Sequence, residues 1–367
     1  MERSALVSVL RLAQCGLSAK GLLPARSCFF FDGKMVRAYD DVIGVELPCP
    51  TDTPLGGLRG ELLLGFLSKS SAQDITIAPE GDGADLVVTA GKRSKLRVAA
   101  MPSEELRFEF PEEGKALASL PCDDALLDAL SKLSISLGHD LSNPWRIGVT
   151  ISFRFAEDGK LVMYSTDNLS CGRVEYQDDR IKNTRAGLAA VVFPPRFCEL
   201  LVAFGATEYP PQSLYFTAEW VVAKLANGGR LFSRCISDAK PGLYDKIFLP
   251  VDGDSTGVLS GEYEIPEGFS EALDRAVVVV DADRGAANEG SLTVRFSGGK
   301  MVLDTLSAMG ASREVLLVPG HPDMEETRVN PKFLLRPLAH CSHMTFVPGR
   351  LVCFSGGYFS HVVSVIK

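Results

Sequence analysis

Residues 329–338 read VNPKFLLRPL, and the parallels of this stretch elsewhere decide how the chain is organised. Residues 193–202 read FPPRFCELLV, and residues 58–67 read LRGELLLGFL. Each is a short apolar run with helical spacing, and two of the three open on a proline and a basic residue, Pro195-Arg196 and Pro331-Lys332. Asn330-Pro331 is a helix start, because Asn caps and Pro suits the first helical position. Pro337 makes that helix short or kinked, since an interior proline removes a backbone hydrogen bond. Aligned on Gly60, Pro195 and Pro331, the stretches recur after 135 and then 136 residues. An interval that even predicts three copies of one unit.

A second set of helical patterns lies upstream of each stretch, at 5–19, 124–138 and 268–280. In the middle one Leu126, Leu127, Leu130, Leu133 and Ile135 fall close to helical spacing. Between the helices, alternating runs bounded by turn residues read as strands. They lie at 147–155, 160–165, 169–176, 213–217, 220–225 and 229–236, then at 291–297, 300–306, 314–318, 344–347, 350–354 and 361–366. Each unit therefore reads helix, about four strands, helix, about four strands, which is two half-units per domain. Helices on one face of antiparallel sheet make an α+β fold. The expected domains are 1–117, 118–250 and 251–367.

The composition, 46% hydrophobic and 23% charged, is that of a soluble globular chain. A net charge of −8 argues against coating nucleic acid by bulk attraction, although it leaves room for a local basic surface. No apolar run reaches the roughly 18–20 residues of a membrane span, so no membrane partner is expected. Arg11 interrupts the N-terminal apolar stretch, which reads as an amphipathic helix rather than a signal peptide. Nine scattered cysteines without CxxC spacing read as free thiols in a reducing cytoplasm.

Chemistry-bearing motifs are missing. His340-Cys341-Ser342-His343 is too tight for structural zinc. The stretch from Asp252 to Gly257 has the look of a calcium loop, but its twelfth position is Tyr263 instead of a bidentate Glu, and Asp281-Ala282-Asp283 lacks later ligands. No Walker loop, GxGxxG or GxSxG occurs. The reading is a protein that is not an enzyme, with no metal and no cofactor.

Particular stretches resemble the bacterial DNA polymerase III beta subunit family, the ring-shaped DNA sliding clamps, over nearly the whole chain. Ala90-Gly91-Lys92-Arg93-Ser94-Lys95-Leu96-Arg97-Val98, followed by Met101-Pro102, resembles the family's Gly-Arg-Ser-Arg-Phe strand and its Leu-Pro. Tyr164-Ser165-Thr166-Asp167 resembles the strand leading to Thr-Asp-Gly-His-Arg-Leu. Leu243-Tyr244-Asp245-Lys246-Ile247-Phe248-Leu249-Pro250 resembles the end of the second domain, and Val329-Asn330-Pro331-Lys332-Phe333-Leu334-Leu335 is similar to Phe-Asn-Pro-Arg-Tyr-Leu-Leu. Two stretches depart from the pattern. Gly-His-Arg-Leu is replaced by Asn168-Leu169-Ser170-Cys171, and the Met-Pro-Met tail by Ser364-Val365-Ile366. Such departures fit a divergent clamp, for example a phage-encoded one.

The resemblance implies three similar clamp domains and a head-to-tail homodimeric ring around duplex DNA. The implied function is a processivity factor for the replicative polymerase in a bacterial or phage-infected cytoplasm. It implies sequence-independent DNA contacts at Lys20, Lys69, Lys92, Arg93, Trp145, Arg146, Arg196 and Arg275. It implies a pocket for short peptides of polymerase and clamp loader at Val149, Thr166, Asn168, Leu169, Ser170, Cys171, Leu243, Phe248, Val362, Ser364, Val365 and Ile366. It places the ring joint at Leu96 and Val98 on one side and at Val278 and Val279 on the other. The alternative is a clamp-like protein that forms no ring and binds or decoys replication factors. A hydrolase on an α+β scaffold finds no constellation to support it.

Overall fold

A computed structural model of the chain describes all residues except 1, 19–22, 51, 81–84, 107, 109, 139–147, 154–157, 184–187, 237–243, 249–261, 283–290, 308, 348 and 367. Its α-helices are α1 (Arg3–Ala13), α2 (Gly60–Lys69), α3 (Asp124–Ser134), α4 (Pro195–Gly205), α5 (Asp245–Phe248), α6 (Phe269–Asp281) and α7 (Pro331–Leu335). The rest is dominated by antiparallel sheet, so the class is α+β as expected. The chain divides into two compact bodies.

The first body holds Met1–Asp124, Arg180–Leu188 and Leu200–Cys235. Its nine-stranded sheet runs, edge to edge, through Lys182–Asn183, Ala118–Pro121, Pro211–Phe216, Trp220–Leu225, Arg230–Arg234, Ile43–Pro48, Met35–Tyr39, Cys28–Phe31 and Gly56–Arg59. Helix α1 buries Leu6, Val7, Val9, Leu10 and Ala13. It packs on α2 and on strands Met35–Tyr39 and Ile43–Pro48. The expected helix at 5–19 ends early: α1 stops at Ala13 and tightens into a 3₁₀ turn, Gln14–Gly16. There the backbone presses against the sheet. A Cβ on Gly16 would lie 2.8 Å from the Ala38 carbonyl oxygen, so only glycine fits. A separate three-stranded sheet is made of Ile75–Pro79, Asp85–Ala90 and Ser94–Ala99.

The second body holds Ala125–Asp179, Ala189–Glu199 and Ile236–Lys367. Its eight-stranded sheet runs through Ala190–Phe193, Val149–Ser152, Lys160–Thr166, Ser170–Gln177, Phe359–Ser364, Leu351–Gly356, His343–Val347 and Tyr263–Glu264. A four-stranded sheet orders Gly310–Leu317, Lys300–Ser307, Leu292–Ser297 and Met324–Val329. Helix α6 buries Phe269, Ala272, Leu273, Ala276 and Val280, an apolar stripe at helical spacing. That stripe joins one core with Leu303, Phe346, Phe354 and Val363. Helix α7 is short for the reason read in its sequence. The Asn330 side chain accepts the Lys332 amide at 3.0 Å and Pro331 takes the first turn. The helix closes at Leu335, before Pro337.

Candidate functional site

Strand alternation separates the two faces of the eight-stranded sheet. The Ser165 hydroxyl donates to the Leu133 carbonyl of α3 at 2.6 Å, so Ser165 faces the helices. Its neighbours Tyr164 and Thr166 therefore face outward. The cross-strand row Thr166–Cys171–Val362–Cys353 lies on that outward face. Val162, Tyr164, Cys171, Cys353 and Val362 form a small buried cluster there with Phe248 of α5, and Tyr244, Ile247 and Leu351 pack around it. Tyr164 stacks on Tyr244 with ring centroids 5.5 Å apart. The Arg173 guanidinium sits 5.6 Å from the centre of the Phe248 ring. Arg173 also pairs with Glu175 at 2.8 Å, and Glu175 meets Lys160 at 2.5 Å. The hydrogen bond from Lys160 holds the Glu175 carboxyl below its ordinary value, with Arg173 adding to it.

One tight turn forms the rim. Asn168 adopts a left-handed φ of +77°, which Asn tolerates better than most side chains. Asp167 Oδ1 accepts the amides of Leu169 and Ser170 at 3.1 and 2.7 Å and the Ser170 hydroxyl at 3.0 Å. Leu169 is left 44% exposed, and its carbonyl accepts the Ser364 amide at 2.8 Å. The expected pocket residues thus divide. Thr166, Asn168, Leu169, Cys171, Phe248, Val362 and Ser364 gather on or beside the outward face. Val149 and Ser170 are buried on the helix side, Val149 opposite Ser165 and Ser170 against Ser136. Val365 packs against the core of α6, and the Ile366 amide bonds the Arg328 carbonyl. Leu243 lies outside the described residues.

A serine–histidine pair lies behind the turn. Ser136 Oγ is 3.2 Å from His361 Nδ1 and 3.3 Å from Ser170 Oγ. All three side chains are buried. Burial drives the His361 imidazole down to about 3, so it is neutral. Its Nε2 has no partner among the described residues, and the Asp167 carboxylate is committed to the turn and to Arg336. The group therefore lacks both the access and the orienting acid that a nucleophilic triad requires.

The expected DNA-contacting cations differ in their surroundings. Lys69 is exposed in the last turn of α2, and Lys92 and Arg93 are exposed in the turn between Asp85–Ala90 and Ser94–Ala99. Arg196 is exposed in the first turn of α4. Arg275 on α6 is held by Glu314 through two bonds of 2.7 and 3.0 Å, and that contact keeps the Glu314 carboxyl below its ordinary value. Other helix cations are held in the same way: Lys132 by Asp128 at 2.8 Å, Lys332 by Asp281, and Arg336 by Asp167 at 2.5 Å. Lys20, Trp145 and Arg146 lie outside the described residues.

Among the described residues, each body has a sheet with an open edge. In the second body the edge is Gly310–Leu317, and Val315, Leu317, Leu306 and Met309 beside it are 51%, 74%, 75% and 76% exposed. Val278 on α6 is 70% exposed, while Val279 is half-buried. In the first body the edge is Ser94–Ala99. Its Leu96 and Val98 pair with Val88 and Leu86 and share their inward face, so what this edge presents is backbone, with Lys95 and Arg97 pointing outward. The apolar group around Gly310–Leu317 was not read from the sequence. Its one signal in the sequence is the alternation of 310–317, of which the expected strand at 314–318 covers only the second half.

Solved DNA polymerase III beta subunits have this fold over the whole chain. The beta subunit of Streptococcus pyogenes gives a TM-score of 0.82 at 16% identity, covering 100% of this chain and 99% of its own. A putative beta subunit from Eubacterium rectale gives 0.82 at 15% identity, with 100% and 98% covered. The Helicobacter pylori beta clamp bound to a DNA ligase peptide gives 0.80 at 15% identity, with 100% and 99% covered. No family model and no curated protein matches the chain. At these identities the likeness establishes the fold: the chain is built as the beta subunits are.

Proposed function

We propose that this chain is a DNA sliding clamp, a processivity factor that closes head to tail with a second copy around duplex DNA. There it tethers the replicative polymerase and other replication proteins. The observation that carries the reading is the likeness to beta subunits over 100% of the chain at a TM-score of 0.82. On this reading 1–117, 118–250 and 251–367 are three clamp domains.

The two open sheet edges support ring closure. An edge strand offers a row of unpaired backbone donors and acceptors. Ser94–Ala99 of one copy would meet Gly310–Leu317 of the next, covering the exposed Val278, Val315 and Leu317. Such a contact is heterologous and closes a ring when its rotation completes the circle.

A closed ring holds duplex by topology and needs only weak, sequence-blind attraction to phosphate. The carboxylate-paired cations on α3, α6 and α7 suit that weakness. Lys69, Lys92 and Arg93, exposed and without a carboxylate partner among the described residues, supply positive charge, and the net −8 discourages stray contact elsewhere. Partner peptides would dock on the outward face beside the exposed Leu169, over the buried layer of Cys171, Phe248 and Val362. The Helicobacter pylori clamp was solved with a DNA ligase peptide, which supports peptides as the partner class.

The same ion pairs also favour the second reading, a binder of replication proteins that forms no ring. Sedimentation separates the two. A clamp sediments at twice 39.6 kDa at micromolar concentration, and a particle that stays at the single-chain mass across that range supports the second reading.

A further inference from the structure

The first body repeats the outward cluster of the second with larger residues and an open cavity. On its nine-stranded sheet the cross-strand row Tyr215–Val222–Phe232–Gly44–Tyr39 lies on one face. A Cβ on Gly44 would sit 1.9 Å from the Phe232 ring, so this glycine makes room for the aromatic layer. Phe108 and Phe110, from the segment that follows the three-stranded sheet, cover the row. Phe108 stacks on Tyr39 at 4.0 Å and lies edge-on to Trp220 at 5.3 Å. The Pro111 carbonyl anchors this segment by accepting from the Tyr215 hydroxyl at 3.2 Å and from Arg230 at 3.1 Å.

The cover leaves a cavity of about 960 Å³ beside Phe108, Phe110, Leu117, Trp220, Lys115 and Arg234. Its lining is mixed, with Glu112, Lys115, Thr217, Glu219 and Arg234 around the aromatic rings, and its volume lies in the range of ligand sites. Most of the surrounding cations are paired. Arg37 and Arg230 are both paired with Glu46, and Arg26 with Asp41. Arg234 lies opposite Trp220 in the strand register, with its guanidinium 5.1 Å from the ring centre. It is exposed, and among the described residues no carboxylate pairs with it. Lys115 is tied to Glu112 at 3.2 Å, and Glu219 also lines the mouth.

We propose that this aromatic cavity is a second docking site, which takes a linear peptide presenting a bulky apolar side chain beside a carboxylate. The side chain enters the cavity against the faces that Phe110, Leu117 and Trp220 turn to it, and the carboxylate meets Arg234 in the fork geometry that suits guanidinium. The mouth sets Glu112 and Glu219 against Lys115 and Arg234, a balance that suits the single carboxylate of a peptide rather than the repeated charge of a phosphate backbone. The site needs no ring closure and uses none of the residues of the first docking face, so its failure and that of the clamp reading are distinguishable.

The test is a random heptapeptide display library panned on the full-length protein, with selected peptides then synthesised and titrated. The expected result is a family of peptides pairing an aromatic or aliphatic residue with Asp or Glu. Their affinity falls at least tenfold in Arg234→Glu, is unchanged in Leu169→Asp, and is attended by a shift of the Trp220 indole N–H resonance. Arg234→Glu changes an exposed side chain, and an unaltered melting temperature confirms that it folds. Lys115→Glu gives a second reading of the same mouth. The proposal is overturned if every selected peptide binds Arg234→Glu as well as the parent, if panning yields none, or if a thymidine decamer shifts the Trp220 resonance and the peptides do not.

Discussion

Arg336 and Asp167 are bonded, Nη1 to Oδ2, at 2.5 Å, and the same guanidinium nitrogen also meets the Ile135 carbonyl at 3.3 Å. The pair ties α7 to the turn that carries Leu169, with the other Asp167 oxygen holding that turn closed. Arg336→Ala is expected to cost about 1 kcal/mol, as for a partly exposed ion pair with hydrogen-bonding geometry. It should also raise hydrogen exchange at the Leu169 and Ser170 amides and weaken peptide docking on the outward face. Denaturant unfolding and amide exchange check this. If Arg336→Ala leaves the exchange of both amides unchanged, the pair has no part in ordering the rim.

His361 sets a pH dependence. Burial keeps its imidazole neutral in the folded protein down to about 3, whereas in the unfolded chain it titrates near its ordinary 6.5. Below 6.5 the unfolded state takes up a proton that the folded state does not. Stability therefore falls as pH drops from 6.5 towards 3, by about 1.4 kcal/mol per pH unit from this group. Between pH 7 and pH 5 the loss is about 2 kcal/mol. His361→Gln removes that share, so the difference in unfolding free energy between parent and variant should shrink at pH 5. An equal difference at both pH values contradicts the assignment.

The helix starts were legible in the sequence because their punctuation is local. Pro195 and Pro331 open helices where expected, and the Asn330 cap and the early end before Pro337 follow from the properties of those residues alone. The shortened α1 was not legible, since the close approach of Gly16 to Ala38 just beyond its end is a contact between residues distant in sequence. The faces of Leu96 and Val98 were ambiguous for a related reason: alternation gives two faces, and only the pairing with Val88 and Leu86 tells which is inward. The restraint on Arg275, an expected DNA contact, was not legible because its partner Glu314 lies 39 residues away. Val149 and Ser170 were carried over by position onto a sheet whose register decides their face.

The open edge yields a prediction about assembly. Val315 and Leu317 are exposed on Gly310–Leu317, and both should be covered in the ring. Val315→Glu with Leu317→Glu should weaken dimerisation at least tenfold while leaving the melting of the single chain nearly unchanged, because exposed substitutions usually shift stability by under about 0.5 kcal/mol. Sedimentation over a concentration series reads both masses. An unaltered dimer would place the joint elsewhere.

Glu314 restrains Arg275, so releasing it should strengthen DNA contact. Glu314→Gln is expected to raise affinity for a duplex at low salt. It should steepen the dependence of log affinity on log salt by about one phosphate's share, a change in slope near 0.9. If the slope is unchanged, Arg275 does not face DNA.

Encirclement is the central claim, and retention on circular DNA tests it most directly. The protein is assembled on a closed circular duplex with a compatible clamp loader, or by dilution and re-closure of the dimer. It is then passed through a sizing column before and after the circle is cut once. The clamp reading predicts co-elution with the intact circle in high salt and loss of the protein from the cut, linear molecule. Equal retention on both forms, or on neither, would contradict it.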